Sequence, residues 1–218
     1  MSQLRSSRPA PAADTVTRAE MKPALSSAQN SDVSDGAPAS SAAENDAKDQ
    51  RFELILSGPE ATLQLAQALA AVACPGDCIL LEGPIGAGKS AFARGFIQSR
   101  MATYDRVEDV PSPTFTLVQI YDLPDGEIWH ADLYRLTHPD EALELGLDEA
   151  METAICLIEW PDRLGTAAPT GAIRIALASP DREDTPAPEH VPDSRVARIT
   201  LPQSARAALT DAIRSLLP

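Results

Sequence analysis

The stretch Cys78-Ile79-Leu80-Leu81-Glu82-Gly83-Pro84-Ile85-Gly86-Ala87-Gly88-Lys89-Ser90 decides how this chain folds. Its first four residues form a continuous apolar run, as expected of a strand buried on both faces of a parallel sheet. Gly83-x-x-x-x-Gly88-Lys89-Ser90 then matches the complete P-loop pattern. Glycines let the backbone wrap around phosphate oxygens in torsions that a side chain forbids. Successive N–H groups of the loop and of the next helix's first turn then face the anion. Lys89 is placed to reach the β- and γ-phosphates of a nucleotide, and the Ser90 hydroxyl to bind magnesium. The candidate phosphate contacts are therefore Gly83, Gly86, Ala87, Gly88, Lys89, Ser90 and Ala91. Phe92, Phe96 and Ile97 give the following helix its apolar side. The alternative is a flexible glycine turn with a solvated lysine, and the strand before the loop and the helix after it weigh against that.

Working outward, Phe52–Leu56 reads as a short strand, and Pro59 is suited to open a helix on which Leu63, Ala66, Leu69 and Val72 recur. Phe115–Tyr121 and Glu127–Tyr134 flank Asp125-Gly126, a tight-turn pair, and predict an antiparallel hairpin. A short helix is expected around Asp140–Leu145, and further strands at Ala154–Ile158, Ala172–Leu177 and Val196–Leu201. Pro202 is suited to open a last helix carrying Leu209, Ile213 and Leu216. The fold class expected is α/β: a single P-loop NTPase-like domain with a mixed sheet, parallel strands plus the antiparallel hairpin, flanked by helices.

Residues 1–50 are rich in Ala, Ser, Asp and Pro and hold no Phe, Trp or Tyr. Such a segment buries too little apolar surface to offset its ordering entropy, so a disordered N-terminal tail is expected there. The domain is expected over 51–218, with a mobile loop at 180–193, where prolines and charges crowd together. The chain has 18 basic and 32 acidic residues, and the first fifty hold 5 and 7 of them. Residues 51–218 thus carry 13 and 25, a net charge of −12, which repels a phosphate backbone and argues against independent nucleic-acid binding. No run of about 18 apolar residues exists to span a membrane. No short apolar core of a secretory signal is present either, so a cytoplasmic protein without membrane contact is expected. Cys74, Cys78 and Cys156 have no histidine beside them and read as small buried hydrophobes rather than as a disulfide or zinc framework.

Magnesium held at a nucleotide usually needs a carboxylate besides the loop hydroxyl. Glu159 ends the apolar strand Ala154–Ile158 at the sheet edge where ligands bind in open α/β folds. It is the first candidate metal ligand, with Ser90. Asp132 is the second carboxylate, with a water-positioning role, and shares a strand face with His130 and Tyr134 at period two. Either carboxylate has a plain alternative role, capping a strand end or pairing with Arg135 or Arg163. His130 reads equally as a packed, hydrogen-bonded ring or as a functional group. Ser112-Pro113-Thr114-Phe115 lies between the P-loop helix and the hairpin, where Thr114 can sense a γ-phosphate as part of a switch. Trp160 follows Glu159 and reads equally as a stacking surface for a base or partner and as a packed core ring.

Together, Gly83–Ser90, Ser112-Pro113-Thr114-Phe115-Thr116-Leu117, His130-Ala131-Asp132-Leu133-Tyr134-Arg135 and Ile158-Glu159-Trp160-Pro161 resemble the bacterial TsaE (YjeE) ATPases over about residues 52–178. The resemblance implies a compact ATPase serving threonylcarbamoyladenosine modification of tRNA, with the transferase TsaD and its companion TsaB as partners and tRNA contacted only through them. It also implies ATP with Mg2+ as the ligand. By resemblance, Lys89, Asp132 and Glu159 are catalytic, Ser90 and Glu159 hold the metal, and Thr114 and Trp160 border the nucleotide. Ser90 stands where the family usually has threonine, and either hydroxyl can ligate a metal. The first fifty residues and the loop 180–193 are not typical of the family's core. A small-molecule P-loop kinase is one competing function, although 180–193, the only long insert, holds just Arg182 where a kinase lid would carry several arginines. A non-hydrolysing nucleotide-dependent binding module is another.

Overall fold

The seven segments that read as strands pair into a single seven-stranded sheet, seen in a computed structural model that describes residues 49–180 and 193–217. The expectations for the tail 1–50 and the loop 180–193 therefore fall, except at their margins, outside the described residues. Along the chain run β1 (Gln50–Leu56), α1 (Pro59–Ala70), β2 (Cys78–Glu82), α2 (Lys89–Ala102), β3 (Val118–Leu123) and β4 (Gly126–Asp132). They are followed by α3 (Asp140–Glu144), α4 (Leu147–Thr153), β5 (Ile155–Glu159), a 3-10 stretch (Pro161–Ala167), β6 (Ile173–Ala178), β7 (Arg195–Leu201) and α5 (Ala207–Arg214). The strand order is β1-β7-β6-β2-β5-β4-β3. β2 lies parallel between β6 and β5, and β4 lies parallel to β5. The β3–β4 hairpin and β1, β7 and β6 pair antiparallel, which makes the sheet mixed.

Two cores cover the two faces of the sheet, and strand alternation divides the residues between them. Ile79 and Leu81 of β2 join the larger core with Leu65, Phe92, Phe96 and Ile213 from α1, α2 and α5. Cys78 and Leu80 join the smaller one with Ala142, Leu147 and Leu164 from α3, α4 and the 3-10 stretch. Strand β2, covered on both sides, has no face for a polar side chain before Glu82, and this explains its unbroken apolar run. Among the described residues no helix is long and apolar enough to cross a membrane.

Several local expectations are corrected. On α1 the buried face is Leu65, Ala66, Leu69 and Ala70, while Leu63 and Val72 are only partly buried. Cys74 is exposed, because it follows the helix in a turn where its N–H donates to Asp77 Oδ2 at 2.8 Å. Strand β3 begins at Val118, not Phe115: Leu117 takes a left-handed backbone (φ +65°) and donates its N–H to Pro113 O at 2.6 Å, which curls 113–117 into a turn. Phe115 consequently stands 87% exposed. Strand β4 ends at Asp132, so Tyr134 does not share its ladder. Pro202 opens a turn closed by Ala205 N–H on Pro202 O, and α5 starts only at Ala207. Helix α4 and the 3-10 stretch carry short patterns that sequence periodicity did not separate from loop.

Candidate functional site

Alternation along β4 and β5 delivers the polar groups. Ile155 and Leu157 face the core on the α2 side, and Glu159 continues their row. Ile128 enters the same core, so His130 and Asp132 follow it on that face of β4. The parallel register sets His130 opposite Leu157 and Asp132 opposite Glu159. Three polar side chains thus reach the carboxyl edge of the sheet, beside the start of α2.

The loop 83–90 joins β2 to α2. Gly83, Gly86 and Gly88 have φ of +130°, +80° and +106°, torsions that L side chains rarely adopt. Ala87 is buried and donates its N–H to Pro84 O at 3.2 Å. Gly88 is the N-cap of α2, no side chain among the described residues caps the helix, and Phe92 N–H closes its first turn on Gly88 O. The N–H groups of Lys89, Ser90 and Ala91 therefore sit in a first turn without intrahelical acceptors, the arrangement that attracts an anion. Lys89, 4% exposed, turns its Nζ to Gly83 O at 2.7 Å and Pro84 O at 2.9 Å. The same Nζ lies 3.9 Å from the centre of the Trp160 ring. Burial lowers the Lys89 pKa from its ordinary value, while the Glu159 and Asp132 carboxylates pull it back up.

Ser90 Oγ donates to Glu159 Oε2 at 2.9 Å, across 69 residues of sequence. A hydroxyl that gives its proton to a carboxylate keeps its lone pairs for a cation. Glu159, 2% exposed, also contacts His130 Nε2 through Oε1 at 3.0 Å. Among the described residues no three His, Cys, Asp or Glu side chains converge on a metal position. One hydroxyl and one carboxylate instead fit magnesium, which takes one or two protein ligands and fills its shell with phosphate oxygens and water.

Asp132 forms a second cluster. Its Oδ2 accepts the Thr114 hydroxyl at 2.6 Å and the Ser112 hydroxyl at 3.4 Å, and the two hydroxyls lie 2.8 Å apart. Its Oδ1 accepts Tyr134 N–H at 3.1 Å. The Ser112–Phe115 segment is thereby tied to the strand that carries the carboxylate. The alternative pairings do not occur: Arg163 lies against Asp162, and the Arg135 guanidinium over the Phe115 ring.

Trp160 has a left-handed backbone (φ +59°, ψ +52°), an uncommon conformation for a bulky residue and one often found at functional sites. It turns the chain from β5 into the 3-10 stretch and sets its ring over Lys89 and 5.0 Å from the Tyr134 ring. A cavity of about 550 Å³ beside it is lined by Gly83, Pro84, Trp160, Asp162 and the Arg174–Glu82 pair. Reading residues alone missed the loop carbonyls that hold Lys89 and the service of Ser112 and Tyr134 N–H to Asp132. The sequence does not separate a packed His130 from a functional one, although its period-two spacing from Asp132 puts it on the right face.

A family model described as threonylcarbamoyl adenosine biosynthesis protein TsaE matches residues 56–186. A Rickettsia bellii protein named tRNA threonylcarbamoyladenosine biosynthesis protein TsaE is 39% identical over 125 residues, 57% of this chain and 85% of its own. A Bacillus subtilis protein of the same name is 38% identical over 120 residues, 55% of this chain and 72% of its own. The crystal structure of Bacillus YdiB superposes with a TM-score of 0.56 at 25% identity, covering 77% of this chain and 95% of that one. Matched over most of its described length, and built on the strand–loop–helix that carries the P-loop pattern, the chain belongs to the TsaE family.

Proposed function

We propose that the chain binds ATP with magnesium across the loop 83–90 and hydrolyses it to support threonylcarbamoyladenosine modification of tRNA through TsaD and TsaB, in the cytoplasm. The observation that carries this reading is the hydrogen bond from Ser90 to Glu159, which joins the P-loop hydroxyl to a buried strand-end carboxylate. The first-turn N–H groups of α2 hold phosphate oxygens. Lys89 exchanges the carbonyls of Gly83 and Pro84 for the β- and γ-phosphates, which compensate the charge its burial leaves costly. Magnesium, when bound, neutralises charge developing on the transferred phosphoryl group. Ser90 and Glu159 orient it. Asp132 orients the attacking water, and because Thr114 and Ser112 hydrogen-bond its carboxylate, any movement of 112–115 alters its readiness.

A domain of net charge −12 acts on tRNA through protein surfaces rather than by holding it. Exposed Phe115 and half-exposed Tyr134 border the site and suit such a contact, so partner docking and nucleotide state are coupled there. The test is depletion of the protein in its host followed by mass spectrometry of tRNA nucleosides. Threonylcarbamoyladenosine should fall, and wild type but not Lys89→Ala should restore it. Normal modification in fully depleted cells would overturn the proposal.

A further inference from the structure

His130 and Glu159 meet in the interior, 1% and 2% exposed, on neighbouring parallel strands. Their contact divides the carboxylate: Oε1 faces His130 Nε2 at 3.0 Å and Oε2 faces Ser90 Oγ at 2.9 Å. The other ring nitrogen, Nδ1, is buried without a hydrogen-bond partner among the described residues. A ring kept only for packing would be served by an apolar side chain at no such cost, since a buried polar atom left unmatched is unfavourable. Among the described residues the imidazole's one polar contact is with Glu159, and a carboxylate can accept there only if Nε2 carries the proton.

We propose that His130 is a positioning residue: its Nε2–H fixes Oε1 of Glu159, so that Oε2 stays aimed at Ser90 and at the magnesium bound beside it. The inference rests on the magnesium–ATP reading and adds the residue that orients the metal's carboxylate. A glutamate carboxyl group on three flexible torsions, held from one side only, swings. Ser90 holds Oε2 from α2 and His130 holds Oε1 from β4, so two elements fix the plane of the group. The Lys89 ammonium does not share this duty, because its hydrogen bonds go to Gly83 O and Pro84 O.

The experiment titrates ATP into the full chain by calorimetry, in EDTA and at a series of magnesium concentrations, and reads the affinity gained from magnesium. His130→Met keeps the volume and removes the donor, whereas His130→Gln places an amide N–H near the Nε2 position. His130→Met should lose about tenfold or more of the magnesium-dependent gain, as outer-shell changes at metal sites do, with affinity in EDTA unchanged. His130→Gln should keep most of the gain. In a Glu159→Gln background His130→Met should add no further loss. A His130→Met protein with the wild-type magnesium response, a His130→Gln as defective as His130→Met, or an equal loss in the Glu159→Gln background would each overturn the inference alone. If His130→Met does not fold, His130→Asn, whose amide stops short of Oε1, replaces it, and equal responses of Asn and Gln variants overturn it. A wild type whose ATP affinity ignores magnesium would overturn the magnesium–ATP reading, and this inference with it.

Discussion

Replacing Gly83 by alanine would put a Cβ 2.2 Å from the carbonyl oxygen of Leu177 and 3.2 Å from Ala87 Cβ. Leu177 belongs to β6, which pairs with β2 up to Glu82, so the obstruction is sheet backbone and cannot rotate away. Relief needs β6 to move from β2 by about an ångström inside an interior packed as densely as a crystal. Overpacking of that kind costs about 1–3 kcal/mol. The backbone at φ +130° adds strain of about 1–3 kcal/mol for a residue with a Cβ. The expected total is about 4 kcal/mol, which for a domain of this size lowers the melting temperature by about 8–16 °C. Gly86 supplies the control, because its φ is +80° and nothing lies within 4 Å of an added Cβ. Gly86→Ala should therefore cost only the torsional strain, about 1 kcal/mol, or about 2–4 °C. Both are measured by calorimetric or circular-dichroism melting without nucleotide. If Gly83→Ala melts within a few degrees of Gly86→Ala, the close approach of loop to β6 is not rigid and the reasoning fails.

Lys89→Ala should abolish ATP binding by calorimetry while the protein still melts cooperatively, since the buried ammonium is costly in the free protein. Because burial lowers the Lys89 pKa below 10.5, the unfolded chain binds more protons in that window, so wild type should gain stability relative to Lys89→Met as pH rises through it; parallel alkaline curves would contradict this. Asp132→Asn should leave ATP affinity near wild type and cut partner-stimulated phosphate release by about a hundredfold or more, as expected for a group that handles the attacking water; wild-type turnover would make the carboxylate structural. Iodoacetamide at mild alkaline pH should label Cys74 in the native protein and all three thiols after unfolding, because burial pushes the thiol of Cys156 up to about 12 and that of Cys78 higher still. Native labelling of Cys156, read by peptide mass spectrometry, would show that the sheet opens locally.

Features set by neighbouring residues were legible in the sequence. The apolar run 78–81, the glycines after it and the helix spacing of Phe92 and Phe96 define strand, loop and helix through local torsions and side-chain period. Period two likewise put His130 and Asp132 on one face, and the strand end made Glu159 a candidate. Arrangements that arise from contacts between distant segments were not legible. The turn at 113–117 depends on Leu117 entering a left-handed conformation that leucine does not signal. Helix α4 and the 3-10 stretch are short, and their residues bury against β2 and β5 rather than by their own periodicity. Above all, the sequence separates Ser90 from His130 and Glu159 by 40 and 69 positions. Only the parallel register of β4 with β5, and the seat of α2 over that sheet face, gives each oxygen of Glu159 its own partner, because hydrogen bonds are set by distances of about 3 Å that no one-dimensional pattern encodes.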